Sequence, residues 1–302
     1  MNDTSFDRTR STSGSIDPAT SLGPATLAVA DAERSLAFYR DLLGFEVLGR
    51  EGQRITLGAA GVTLLTLLVQ PGLRPRPLTT TGLYHVAILL PTRRDLAYTL
   101  NRLLEARYPF GASDHLVSEA LYISDPDANG LEIYRDRPRA EWRWQPDGQI
   151  VMTIDPLDTA GILAELQDAG VPWRGMPAGT TIGHMHLQVS DIPTAEAFYH
   201  TILGFDVMAR LQGALFLGAG GYHHHIGLNT WNSYGALLQP EDAAGLRSFV
   251  IRLPHAEALA RVRERIAAAG LPVREQQGAL ALDDPWRNTV LLAQIVNEGD
   301  GS

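Results

Sequence analysis

The stretch LGPATLAVADAERSLAFYRDLLGFEVL, residues 22–48, is repeated as IGHMHLQVSDIPTAEAFYHTILGFDVM at residues 182–208. Asp31 matches Asp191, and the Phe-Tyr pair beginning at Phe38 matches the pair beginning at Phe198, always at an offset of 160 residues. Each copy predicts an alternating β-strand followed by a short amphipathic helix that closes near a glycine. A repeat of this length indicates a duplicated structural module.

A second pair of segments is weaker but has the same layout. GLYHVAILLPTRRDLAYTLNRLLE begins at Gly82, and GLRSFVIRLPHAEALARVRERIAAAG begins at Gly245. Both predict a strand that ends in Leu-Pro, a helix, a turn (DPDANG at 125–130, DPWRN at 284–288) and a final apolar strand. The chain therefore contains four strand–helix–strands modules of a mixed α+β class, at about 22–72, 82–136, 181–232 and 245–297.

Composition separates these modules from the rest of the chain. Residues 137–180 are rich in Trp and Pro and predict an ordered linker with one helix around Thr159–Ala169. The polar ends predict disordered tails. We therefore expect a tail at 1–20, a double-module region at 21–136, the linker at 137–180, a second double-module region at 181–297 and a tail at 298–302.

The 302-residue chain is 45% hydrophobic and has a formal net charge of −9. This charge disfavours nucleic acid and anionic membranes as partners, because binding phosphates requires a basic face. The absence of cysteine excludes disulfides, thiolate zinc sites, iron–sulfur clusters and a cysteine nucleophile. No apolar run is long enough to span a bilayer, and the first residues lack the apolar core of a signal peptide, so we expect a cytoplasmic protein.

Two histidines occupy the same register in two different modules. His85 opens the strand HVAILL of module two, and His184 opens HMHLQV of module three. The matching positions of modules one and four hold Pro24 and Ser248. A single strand histidine is usually structural, but two at matching positions make metal ligation about equally plausible.

Glu132 lies in the otherwise apolar final strand of module two, within NGLEIY. An inward-facing glutamate requires a cation, because glutamate is rarely buried without a partner. An outward orientation on an exposed face would also fit the alternation of a strand. Module four has Leu291 at this position.

Module three also contains three consecutive histidines, His223, His224 and His225, in what we predict to be a strand. Alternation would place His223 and His225 on one face and His224 on the other. The tract is then either a polar strand edge or part of a functional site.

Modules two and three thus hold all the candidate ligands, and modules one and four hold none. Two histidines and one carboxylate form the facial triad suited to non-haem Fe(II), with Mn(II) as an alternative. We therefore expect His85, Glu132 and His184 to meet between modules two and three, and modules one and four to pair without a metal.

The D-(x)n-AFY-(x)n-LGF pattern at 31–45 and 191–205 resembles the vicinal-oxygen-chelate superfamily, which includes glyoxalase I, bleomycin-resistance proteins and type I extradiol dioxygenases. The resemblance implies four βαβββ modules that form two open-barrel pairs. It does not by itself select a function.

The extradiol dioxygenases are matched more closely. GHMHLQVSD (183–191), YHVAILL (84–90) and SDHLVSEALYISDPDANGLEIY (113–134) resemble their metal-binding segments, and HHHIGLN (223–229) is similar to the strand with their acid–base histidine. In those enzymes the two ligand-bearing modules are the third and fourth, whereas here they are the second and third. That order, and the run GGYHHHIGLNTW (220–231), resemble the catechol 2,3-dioxygenase-like bacterial proteins.

This resemblance implies extradiol cleavage of a small aromatic diol by O2, with Fe(II) or Mn(II). It implies that His85, Glu132 and His184 bind the metal, that His225 is the acid–base residue, and that Tyr122 and His115 assist by hydrogen bonding. His186 is a candidate substitute ligand, and Asn229, Trp231 and Tyr234 are candidate wall residues. The ring substituents and a homo-oligomeric state stay open.

Two other functions stay open from the same residues. A glyoxalase-like isomerase would use His224 or His225 as a fourth protein ligand. A metal-free resistance protein would bind its ligand in an apolar cleft, but it has no need for inward-facing His85 and Glu132.

Overall fold

The computed structural model describes residues 14–167, 172–276 and 278–295, which form two curled eight-stranded sheets with few helices. The predicted α+β class is confirmed. One face of each sheet contributes to a shared apolar core. Within the described ranges, every helix is too short or too polar to cross a membrane.

Modules one and three each contain a short helix whose N-terminus is capped by an aspartate. The carboxylates of Asp31 and Asp191 accept hydrogen bonds from the backbone N–H groups of Arg34 and Thr194, which caps the first turn of each helix. Module one comprises β1 Ser21–Val29, α1 Ala32–Leu36 continued by a π-helical turn Ala37–Leu42, β2 Glu46–Glu51, β3 Arg54–Ala59 and β4 Val62–Val69.

Modules two and four have longer helices with an apolar face turned to the core. In module two, Thr92 and Asp95 form a capping box at the helix start, and in module four the ring of His255 accepts a hydrogen bond from the N–H of Ala258. Module two comprises β5 Gly82–Leu89, α2 Arg93–Glu105, β6 Gly111–Asp114, β7 Ser118–Ser124 and β8 Gly130–Asp136.

The linker contributes the short helix α3, Thr159–Ala164. The end of the predicted linker helix falls partly at 168–171, outside the described residues. Module three follows with β9 Thr181–Gln188, α4 Ile192–Glu196 with its π-helical turn Ala197–Ile202, β10 Asp206–Leu211, β11 Ala214–Gly218 and β12 Ile226–Asn229. Module four comprises β13 Gly245–Leu253, α5 Ala256–Ala268, β14 Arg274–Gln276, β15 Ala279–Asp283 and β16 Thr289–Gln294.

The modules pair in a nested order. Strand β1 pairs with β13, so the first sheet combines modules one and four in the order β14-β15-β16-β13-β1-β4-β3-β2. Strand β5 pairs with β9, so the second sheet combines modules two and three in the order β10-β11-β12-β9-β5-β8-β7-β6. The expected pairing is confirmed, and each sheet takes one module from each double-module region.

The boundary of the predicted N-terminal tail needs a correction. Ile16 is buried in the main core, and its backbone N–H donates a 2.6 Å hydrogen bond to the carbonyl of Gly204. Ile16 is an apolar residue among polar neighbours, so the local sequence predicts a tail there. Its contacts lie in module three, which the local sequence does not reveal. Residues 1–13 and 298–302 fall outside the described residues.

Candidate metal centre

A cavity of about 250 Å³ lies against the second sheet. It is on the face opposite the main core, where small side chains such as Ala87 and Ala120 leave space. Its lining comes from modules two and three and from the linker: Tyr84, His85, Ser113, His115, Val117, Ser118, Tyr122, Glu132, Met152, Thr153, Ile154, His184, His186, Leu211, Phe216, His224 and Trp231.

Three of these residues converge on one point in the cavity wall. The Oε2 atom of Glu132 lies 2.9 Å from Nε2 of His85 and 3.0 Å from Nε2 of His184. The two Nε2 atoms lie 3.2 Å apart. The structure therefore brings together the three residues that the sequence predicts as metal ligands.

Strand register explains this convergence. Ala87 of β5 is paired with Glu132 of β8 on one side and with His184 of β9 on the other. His85 is two residues from Ala87 and points to the same face. The small side chain of Ala87 leaves room for the imidazole and carboxylate of its neighbours to meet above it.

The electrostatics of the three residues suit a cation. Burial alone raises the pKa of Glu132, but its contacts with His184 and His85 outweigh burial and hold the pKa well below its usual range. Burial lowers the pKa of His184 to about 4. At neutral pH the group therefore contains an ionised carboxylate and a neutral His184 imidazole.

The same residues pass a geometric test for a metal ion. An ion about 2.1 Å from three ligand atoms at right angles holds those atoms about 3.0 Å apart, as found here. The Nδ1 atom of His184 is buried and has no partner among the described residues, so this ring can bind other groups only through Nε2. His85, Glu132 and His184 thus fit one divalent cation.

The histidine tract is arranged differently from the prediction. His223, His224 and His225 precede β12, which begins at Ile226, and they follow an irregular path. His224 lines the cavity, and its ring centroid lies 4.0 Å from that of His184. Burial, followed by the surrounding imidazoles, lowers the pKa of His224 well below its usual value.

His225, which the sequence predicts as the acid–base residue, is not among the residues that line this cavity. Its Nδ1 accepts a 3.1 Å hydrogen bond from the backbone N–H of Ala219, and its ring packs against Phe205 and Tyr222. Because the tract lies outside the strand, strict alternation does not apply to it. The residue of the tract that faces the candidate ligands is His224.

Tyr122 and His115 form a hydrogen-bonded pair in the cavity wall. The Nδ1 atom of His115 lies 2.6 Å from the carbonyl oxygen of Thr153, so Nδ1 carries the ring proton. Nε2 of His115 then accepts a 2.6 Å hydrogen bond from the hydroxyl of Tyr122. Burial, followed by the charge of Glu132, raises the pKa of Tyr122 well above its usual value.

His186 lines the cavity but lies outside the convergent group. Its Nε2 contacts the side-chain amide of buried Asn229 at 3.0 Å, and its ring packs against Tyr84 and Trp231. Gly227 lies beneath this ring, where a Cβ atom would come within 2.9 Å of it. Among the described residues, the group with metal-ligand spacing contains His85, Glu132 and His184 without His186.

The sequence does not predict every residue of the cavity wall correctly. Met152, Thr153 and Ile154 come from the linker, which offered no repeat or motif. Trp231 lines the cavity as expected, but Tyr234 is 84% exposed and is not among the lining residues. The described lining contains neither lysine nor arginine.

Comparison with known proteins is consistent with this geometry. The family model described as glyoxalase/bleomycin resistance protein/dioxygenase superfamily matches residues 21–133 and 181–290. A protein of Bacillus subtilis (strain 168) named catechol-2,3-dioxygenase is 44% identical over 275 residues, which cover 90% of this chain and 96% of that protein.

Two solved structures share the fold at low sequence identity. A Bacillus subtilis protein described as a candidate dioxygenase has a TM-score of 0.60 at 14% identity, covering 91% of this chain and 84% of that chain. Glyoxalase I from Zea mays has a TM-score of 0.55 at 15% identity, with coverages of 91% and 92%. These two likenesses concern the fold alone.

Proposed function

Because the chain belongs to the glyoxalase/bleomycin resistance protein/dioxygenase superfamily, we propose that it is an extradiol dioxygenase that cleaves a catechol with O2 and Fe(II). The observation that carries this proposal is the convergence of His85, Glu132 and His184 on one point in the cavity wall. The name of the 44% identical relative supports the same reaction.

These three residues would hold Fe(II), with Mn(II) as the alternative. When bound, the metal would serve as a template for both substrates and as the route for electrons between them. The neutral imidazole of His184 and the single carboxylate of Glu132 would keep the total charge of the site low.

His224 is the residue placed to handle the catechol proton. It faces the cavity beside His184, and its pKa, lowered by burial, leaves it neutral and able to accept a proton at neutral pH. We propose that His224 takes a proton from a substrate hydroxyl and later returns one.

Tyr122 would accept a hydrogen bond from a substrate hydroxyl, because its own proton is donated to Nε2 of His115. Its raised pKa keeps the hydroxyl protonated, and its bond to His115 fixes the direction of the phenol. Thr153 in turn fixes the tautomer of His115 through its carbonyl oxygen.

The rest of the cavity wall suits an uncharged aromatic substrate better than a charged one. Val117, Phe216 and Trp231 offer apolar and aromatic surface, and the described lining has no cationic side chain. We therefore propose an uncharged catechol as the substrate class.

The decisive experiment uses protein purified without oxygen. Elemental analysis should find iron or manganese in amounts near one per chain, and addition of catechol and air should produce a yellow ring-opened product. A metal-free protein, or a loaded protein that isomerises a glutathione hemithioacetal and leaves catechol intact, would refute the proposal. The isomerase would need a fourth ligand, whereas the convergent group among the described residues has three.

A further inference from the structure

A chain of hydrogen bonds leads from the cavity to a partly exposed carboxylate. Nδ1 of His224 lies 2.8 Å from Nδ1 of His223, and Nε2 of His223 lies 2.8 Å from Oδ1 of Asp136 at the end of β8. His223 is completely buried, whereas the side chain of Asp136 is 24% exposed. The proposed function uses neither His223 nor Asp136.

The donors and acceptors along this chain can be assigned in order. An ionised carboxylate only accepts, so the Nε2 atom of His223 donates to Asp136. A neutral imidazole has one proton, so Nδ1 of His223 is an acceptor. The Nδ1 atom of His224 must then carry the proton of that ring, because it shares a short contact with an acceptor.

This assignment leaves a lone pair on Nε2 of His224. Within the described part of the chain, that atom makes no hydrogen bond, and it is not one of the fully enclosed atoms without a partner. The ring itself lines the cavity. The free Nε2 lone pair is therefore available to a molecule bound there.

We infer that Asp136 and His223 are positioning residues that hold His224 in the tautomer with its proton on Nδ1 and its basic Nε2 free. The catalytic meaning of this arrangement rests on the proposed function, but the tautomer itself does not. Neither positioning residue touches the substrate cavity.

Neighbouring residues keep the two positioning side chains in place. Trp142 packs against the ring of His223 with centroids 5.3 Å apart, and Tyr222 packs on it at 4.2 Å. The hydroxyl of Tyr222 also bonds to Asp136 and, at 2.7 Å, to the hydroxyl of Tyr134. His223 and Tyr222 therefore both hold the carboxylate of Asp136 in its orientation.

The opposite proton arrangement would require two protons on His223. That ring would then donate from Nδ1, and His224 would carry its proton on Nε2 and lose its free base. Such an imidazolium would be fully buried beside the rings of His184 and His224. Nε2 of His224 is unprotonated in the first arrangement and protonated in the second, so a measurement at this atom distinguishes them.

The first test is a two-bond ¹H–¹⁵N correlation spectrum of the metal-free protein labelled with ¹⁵N-histidine. Signals of His224 are assigned by their loss in His224→Gln. We expect its Nδ1 to resonate as a protonated nitrogen and its Nε2 as an unprotonated one. A protonated Nε2 in the wild-type protein would overturn the inference, whatever the protein does to catechol.

The second test is Asp136→Asn. Because Tyr222 will donate to the amide oxygen, the amide NH2 will face Nε2 of His223 and reverse the tautomers of both rings. We expect Nε2 of His224 to become protonated and kcat to fall by about 10²-fold or more, with KM and metal content unchanged. Asp136→Glu should recover part of kcat.

The matched control is Asp147→Asn, which makes the same chemical change at an exposed turn, where the Asp147 side chain bonds to Gln149 and to no other described residue. It should leave both the spectrum and kcat unchanged. An Asp136→Asn variant with wild-type tautomers and wild-type kcat would also overturn the inference. A wild-type protein that shows the expected tautomer but does not cleave catechol would refute the proposed function instead.

Discussion

The hydroxyl of Tyr199 donates a 2.8 Å hydrogen bond to the buried carboxylate of Asp284 and so joins the two sheets. Tyr199 belongs to module three in the second sheet, and Asp284 precedes the last strand of module four in the first. The duplicated counterpart is the 2.9 Å bond from Tyr39 to Asp125. The repeated Phe-Tyr pair and the repeated Asp-Pro turn are therefore two halves of one contact.

This contact predicts a pH dependence of stability. Burial raises the pKa of Asp284, and its hydrogen bonds only partly offset that effect. A carboxyl group with a raised folded-state pKa stabilises the fold less as pH rises from its unfolded value near 4. In denaturant titrations of metal-free protein, the stability of Asp284→Asn relative to wild type should therefore increase between pH 4 and pH 7. A difference that is constant or falls would contradict the raised pKa.

Glu132→Gln should abolish metal retention. The amide keeps the shape of the side chain but removes the only carboxylate of the convergent group. Added metal at about 100 times its dissociation constant should stabilise the wild type by about 2.7 kcal/mol and leave the variant unchanged. Thermal unfolding with and without metal, together with elemental analysis, measures this.

Glu105→Gln is the control for that variant, because Glu105 is exposed and, within the part of the chain that the structure describes, its side chain bonds to Asn101 alone. It should bind metal and turn over catechol as the wild type does. Metal retention by Glu132→Gln at wild-type levels would remove Glu132 from the site.

The neighbours His224 and His225 should respond oppositely to the same substitution. His224→Gln should lower kcat by about 10²- to 10⁴-fold because it removes the proposed base. His225→Gln should instead cost about 1–3 kcal/mol of stability, since it disturbs the buried acceptor of the Ala219 N–H. Steady-state kinetics and denaturant unfolding of both variants measure the two effects, and a large kcat loss confined to His225→Gln would restore the acid–base role to that residue.

Catechols with neutral ring substituents should be better substrates than carboxylated ones. A buried carboxylate without a cationic partner costs several kcal/mol, so kcat/KM should fall by about 10²-fold or more. Arg76 lines a neighbouring cavity, where it is engaged by the carbonyl of Leu83 and the side chain of Gln188. Equal kcat/KM values for methylcatechol and dihydroxybenzoate would contradict this prediction.

The convergence of His85, Glu132 and His184 was predictable from sequence because strand alternation is a local property. His85 and Glu132 each lie within a regular strand, so alternation limits each side chain to one of two faces. The distribution of candidate ligands then indicates the pairing of modules, since the two modules that contain them must meet if they bind one ion.

The position of His224 in the cavity wall was not predictable in the same way. The choice between His224 and His225 depends on where β12 begins, and the turn at 220–225 that sets this point is held by long-range contacts such as the bond between His223 and Asp136. The linker wall at Met152 is a similar case, because its position depends on packing against module three rather than on its own sequence.

The nested pairing of modules has a consequence for synthesis. The second sheet, which carries the candidate metal centre, has all its strands once Asn229 has left the ribosome. Strand β1 ends at Val29, but it cannot pair with β13 until β13, which begins at Gly245, has been synthesised. Until then the first sheet has an open edge, and open edges pair readily with other chains. Newly made chains are therefore expected to aggregate mainly through the exposed edge of module one.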